Sequence, residues 1–172
     1  MIFRLTTKAK EQLGISKLEE LKSSAKKDFF FEWYVNVVFI NHKKYFLLTE
    51  AKTLFSIIKH AKGINTIDFF EEYMGKILAE VLNDLIEGPR LETLRLNNCV
   101  YGKTENNNVR RAQIDHLYHA KHLVEDGRNT FDVNRYPVAS IGFKMPVDYF
   151  IEEMKKVLAE DGGIFISDDL KN

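Results

Sequence analysis

The chain has 172 residues, of which 45% are hydrophobic, enough for one real core, and its apolar side chains recur in regular patterns that exclude intrinsic disorder. Its 25 basic and 25 acidic side chains balance, so no net charge draws the whole molecule to nucleic acid or an anionic membrane; binding of that kind needs a local patch. The lone Cys99 cannot close an intramolecular disulfide, no glycosylation sequon occurs, and neither a signal peptide nor a membrane-length apolar run is present. These features predict a single soluble, cytoplasmic domain over residues 1–172, with no membrane partner and no cofactor motif.

In chain order, Ile2–Leu5 is apolar and fits a strand, after which Thr6 or Thr7 caps a short helix that reaches Leu13 and stops at Gly14. Residues 16–28 are lysine-rich and weakly patterned, and read as a loop with a helical turn near Leu18 and Leu21. Residues 29–40 are dense in aromatic and β-branched side chains, and the pattern resumes at 45–48 after a polar break, which is a hairpin signal. Residues 53–58 read as a third strand of the same antiparallel meander, with a short helix as the alternative, because so short an apolar run has no decisive periodicity.

The clearest helix spans residues 66–87, where Phe70, Tyr73, Met74, Ile77, Leu78, Val81, Leu82 and Leu85 recur at three- and four-residue spacing between a cap at Asn65 or Thr66 and Gly88-Pro89. Residues 91–96 alternate apolar and polar like a half-exposed strand. Asn106-Asn107-Asn108 opens a second helix that ends near Gly127, and Pro146 opens a third, stopped by Gly162-Gly163. The tail, 162–172, carries Ile164-Phe165-Ile166, apolar enough to dock or pair. Strands come early, helices later, and the strand connections look too short for parallel crossovers. The predicted fold is α+β: an antiparallel sheet of about four to five strands with three main helices packed on it.

Asp115, His116, His119 and His122 form the most ligand-like cluster. At helical spacing His116 falls on the apolar stripe with Val109, Ala112, Ala120 and Leu123, whereas Asp115, His119 and His122 share the polar side, where they are a candidate metal trio or an ordinary solvated face. Gly102-Lys103-Thr104 ends like a phosphate-binding loop, but Asn97 stands where its first glycine is required, so a turn at the end of a strand is the better reading. Cys99 lacks a local nucleophile signature and no G-x-S-x-G elbow occurs.

Charge is uneven: residues 1–27 carry net +4 and residues 66–88 net −5. Aromatic residues follow the basic stretch at Phe29, Phe30, Phe31, Trp33 and Tyr34, where they either stack bases or, as in most strands, face the core.

The opening Met1-Ile2-Phe3-Arg4-Leu5-Thr6-x-Lys8, the segments Trp33-Tyr34-x-Asn36-x-x-Phe39 and Thr53-Leu54-Phe55-Ser56, and the run from Pro137 through Ser140, Gly142 and Lys144 to Pro146 form an ordered set. This set resembles an uncharacterised family of bacterial and archaeal domains of unknown function, small stand-alone proteins, some associated with mobile elements. The resemblance spans residues 1 to about 158 and implies no activity. Members tend to carry histidine where this chain has Tyr34 or Asn36, and the histidines at 116–122 lie outside the pattern.

Read physically, Ser140, Gly142 and Lys144 form a turn-rich entry to the last helix, able to present backbone amides and an ammonium to an anion, with Asn107 and Arg111 as companions; alternatively Gly142 permits close packing and Pro146 merely starts the helix. The leading expectation is a small intracellular binding or interaction module of unknown role, monomeric or homodimeric, its partner unknown, with a protein and nucleic acid both open. The alternatives are an enzyme acting on a phosphorylated or nucleotide-like substrate, and nucleic-acid binding through the basic N-terminal region.

Overall fold

The computed structural model describes residues 1–21, 32–86, 92–94, 96 and 98–160, the last three in backbone only. The predicted strand at 29–31, the loop beyond residue 21, the Gly88-Pro89 stop and the 162–172 tail lie outside the described residues. Five strands, β1 (Ile2–Leu5), β2 (Glu32–Ile40), β3 (Lys43–Glu50), β4 (Ser56–His60) and β5 (Val100–Lys103), form one sheet in the order β4-β3-β2-β1-β5. Four helices, α1 (Thr7–Gln12), α2 (Ile67–Leu85), α3 (Asn107–Glu125) and α4 (Pro146–Glu160), and two short 3-10 segments, Thr130–Arg135 and Ala139–Ile141, complete it. No described helix is long and apolar enough to cross a membrane.

The sheet is mixed, which corrects the antiparallel expectation. β2, β3 and β4 make the expected meander, but β1 runs parallel to both β2 and β5. Residues 6–31 separate β1 from β2, and residues 61–99 separate β4 from β5; both intervals suffice for crossovers. The third meander strand starts at Ser56 rather than Thr53, because the Glu50 carboxylate accepts from the Lys52 and Thr53 amides and the Thr53 hydroxyl, holding 50–53 as a tight turn. The described residues of 91–96 are not in a strand; the fifth strand lies at 100–103, so Gly102 and Lys103 sit within it and Thr104 follows its end.

Alternation along β2 divides the core. Trp33, Val35 and Val37 face α1, α2 and α4 in the main cluster, with Phe3, Phe46, Phe70, Met74 and Phe150 among their neighbours. Val38 and Ile40, with Tyr45, Leu47 and Ile58, face Ala120 and Leu123 of α3 and Val133 beyond it, so helices cover both faces. Arg4 and Glu32, which alternate with the core-facing Phe3, Leu5 and Trp33, make a buried ion pair: Arg4 Nε donates to Glu32 Oε1 at 2.9 Å, and Arg4 Nη1 to the Leu21 and Lys103 carbonyls.

Both edges of the sheet are covered. Asn134 donates through Nδ2 to the Ser56 carbonyl (2.7 Å) and accepts at Oδ1 from the Ser56 amide (2.6 Å), standing in for a neighbouring strand along β4. On the other side the Glu19 amide donates to Tyr101 O and bridges to β5. Such cover prevents strand pairing between copies.

Candidate functional site

α3 begins where Asn106 accepts from the Asn108 and Val109 amides, and it buries Val109, Ala112, Gln113, His116, Ala120 and Leu123. Gln113 Nε2 donates to Tyr34 O and Leu47 O, pinning the helix across β2 and β3. His116 Nδ1 lies 2.7 Å from Ser56 Oγ, which lies 2.7 Å from Thr49 Oγ1. Burial, and then the neighbouring His119, push the His116 pKa down to about 4, so its ring is neutral near pH 7. Ser56 and His116 are both 1% exposed, so this serine–histidine contact holds α3 to the sheet and is closed to a substrate. The expected core position of His116 is thus observed.

The other candidate ligands point elsewhere. The His119 ring stacks on Tyr136 at 4.2 Å, and His122 packs edge-on to Tyr118 with Nδ1 3.6 Å from Glu125. Asp115 is exposed on the same helix. Among the described residues no three His, Cys, Asp or Glu side chains are grouped to hold a metal ion.

Ser140, Gly142 and Lys144 share a tight loop closed by Val138 N to Lys144 O (3.1 Å) and Phe143 N to Val138 O (3.0 Å). Gly142 is there for its left-handed backbone, φ 71°, rather than for close packing, since a Cβ at that position meets no described atom within 4 Å. The Lys144 ammonium is bound to Glu152 at 2.9 Å and lies 4.4 Å over the Tyr149 ring. Hydrogen bonds from Lys156, and then Lys144, hold the Glu152 carboxyl down at about 2. Asn107 and Arg111 are exposed on the first two turns of α3. The loop root is beside them, because Val138 and Ile141 pack against Val109 and Ala112 of α3, and against Tyr34, Ala51 and Leu54.

Large apolar side chains are exposed both on α3 and on the loop. Ile114 (67% exposed) and Tyr118 (62%) stand one turn apart on the outer face of α3, and Phe143 (74%) and Met145 project from the loop. Phe143 is held at φ 59°, a left-handed conformation that costs an L residue roughly 1–2 kcal/mol. Leu54 has nearly the same φ, 61°, but its side chain is buried in the core, whereas the Phe143 backbone closes the loop on Val138 O while its side chain stays exposed. Sequence reading missed this feature, since only Gly142 hinted at an unusual backbone there.

A cleft of about 1040 Å³ opens at the carboxyl ends of β1 and β5, lined by residues that include Lys10, Lys17, Lys103, Glu19, Glu20 and Thr104. It contains none of Lys144, Gly142, Ser140, Asn107 and Arg111, and Glu20 pairs with Lys103 at 3.0 Å. Of the two positions where the resembling family carries histidine, Tyr34 is buried, which raises its pKa, and Asn36 accepts a hydrogen bond from Thr6.

Residues 2–149 match the model of a family described as "Domain of unknown function (DUF6933)". No curated protein and no solved structure matches the chain.

Proposed function

The chain belongs to the DUF6933 family, a domain of unknown function, and from that premise we propose that it is a binding module whose partner is a protein, engaged through the outer face of α3 and the loop at 138–145. The observation that carries this reading is Phe143, a large apolar side chain exposed at its own backbone's expense. Strain of this kind persists where a surrounding structure over-determines it, and it collects at ligand clamps and switch regions. Met145 adds apolar area on the loop, and Ile114 and Tyr118 add it on the outer face of α3, where Arg110 and Arg111 are also exposed; exposed aromatic and arginine side chains are the usual makers of interface energy.

The catalytic alternative has less support. Lys144 is already neutralised by Glu152, and the serine–histidine contact is buried. The half-buried Cys99, with its thiol pushed up to about 11 first by burial and then by Glu71, is poorly nucleophilic and fits a reducing, cytoplasmic setting.

A photo-crosslinking residue placed at position 118 should trap one partner in cells, and the same residue at Glu72, on the acidic face of α2, should not. The purified partner should then lose about tenfold or more in affinity on Phe143→Ala or Tyr118→Ala. Equal affinity in both variants overturns the reading. A trapped second copy of the chain identifies the protein partner as itself, and sedimentation then reports a dimer.

A further inference from the structure

The β2–β3 hairpin ends in a two-residue turn, Asn41 and His42, both left-handed (φ 48° and 62°), which sets Lys43 opposite Ile40 and Lys44 opposite Phe39. A cleft of about 650 Å³ on this end is lined by Gln12, Lys43, Lys44, His60, Lys62 and the Ala61 and Gly63 turn. A second, of about 510 Å³, is lined by Phe39, Asn41, His42 and Lys121. No aspartate or glutamate appears in either described lining.

The cations here are uncompensated. Lys52, Lys59, Lys76, Lys103, Lys144 and Lys156 each pair with a carboxylate. Among the described residues none of Lys43, Lys44, Lys62 and Lys121 does; the Lys44 ammonium donates instead to the neutral Gln12 Oε1 at 2.6 Å. All four are exposed, as are His42 and His60. Phe39 is 52% exposed among them, and the His60 ring stacks on Tyr45 at 4.2 Å. In a molecule whose total charge is zero, cations grouped at one end and unpaired with carboxylates among the described residues make a local positive field.

We propose that this hairpin end binds single-stranded nucleic acid, with Lys43, Lys44, Lys62 and Lys121 on successive phosphates and the Phe39 ring stacking on an unpaired base. Lysines alone would suit any polyanion; the exposed aromatic ring directly opposite Lys44 selects a strand with free base faces. Lys121 stands one turn from Tyr118 on α3, so this surface adjoins the α3 face; Phe39, on β2, belongs to the nucleic-acid reading alone and tells the two apart.

The test is fluorescence anisotropy on the full chain with a labelled oligothymidylate of about 16 nucleotides, within the single-strand site sizes known for such grooves. Binding is expected at about 50 mM salt, and four phosphate contacts give a slope of log K against log salt of about −3. Lys43→Glu with Lys62→Glu should weaken binding about tenfold or more, and Phe39→Ala about 5- to 100-fold with the salt slope unchanged. All of these side chains are exposed, so circular dichroism and Tm should stay at wild-type values. Three results overturn the proposal: no binding at that salt, equal binding by the lysine variant, or equal binding by Phe39→Ala. Tighter binding of a duplex, or of phosphatidylserine vesicles, than of the oligonucleotide also overturns it and assigns the patch to that surface.

Discussion

His116 couples the fold to pH. Its ring is buried, accepts or donates one hydrogen bond to Ser56, and has no described partner at Nε2. A group whose pKa is about 4 folded, against an ordinary 6.5, binds its proton more readily in the unfolded chain. Its stabilising share is therefore whole above pH 6.5 and drains away as pH falls toward 4, a loss on the order of 3 kcal/mol. Denaturant titrations from pH 7.5 to 4 should show that slope in the wild type and a flatter one in His116→Asn; parallel slopes would remove the assignment. The helical angle of His116 already placed it with the apolar stripe, because burial on a helix repeats with the helix. Its partner Ser56 was not legible, being far away along the chain and joined only by the packing of α3 on the sheet. Phe143 was hidden for a related reason: residue type says nothing of exposure where the backbone turns left-handed.

At the level of elements, α2 shows how closely two segments approach. Gly75 sits on its buried face, and a Cβ there would stand 2.2 Å from Leu94 O and 3.0 Å from Thr93 Oγ1, while Leu94 N donates to Gly75 O. Gly75→Ala forces backbone apart and should cost about 1–3 kcal/mol or more, lowering Tm by roughly 5 °C in a chain of this size. An unchanged Tm would mean that the 92–94 segment moves away freely. The long helices were legible from their apolar repeats, and α2 and α3 take Thr66 and Asn106 as side-chain caps. β5 was not, since its four residues include a glycine and owe their strand state to pairing with β1, whereas the alternation at 91–96 reads as a strand while its described residues are in none.

For the whole molecule, the decisive departure from expectation is the mixed sheet, and with it the central place of β1. Local pattern predicts the meander, because its strands pair with their sequence neighbours; parallel pairing across crossovers leaves no local mark. Edge cover is equally non-local. Asn134→Ala removes both amide bonds to Ser56 and bares the β4 edge, so it should cost about 1–3 kcal/mol and promote self-association, visible as rising light scattering on mild heating; a variant as stable and monodisperse as wild type would show that the edge is guarded otherwise. The position of β1 also dictates an order of assembly. Residues 2–5 are made before residues 100–103, which supply their second flank, so that flank stays open while β2, β3 and β4 pair beside it. Closing so distant a contact is slow, and the earliest of the described strands is among the last to lock.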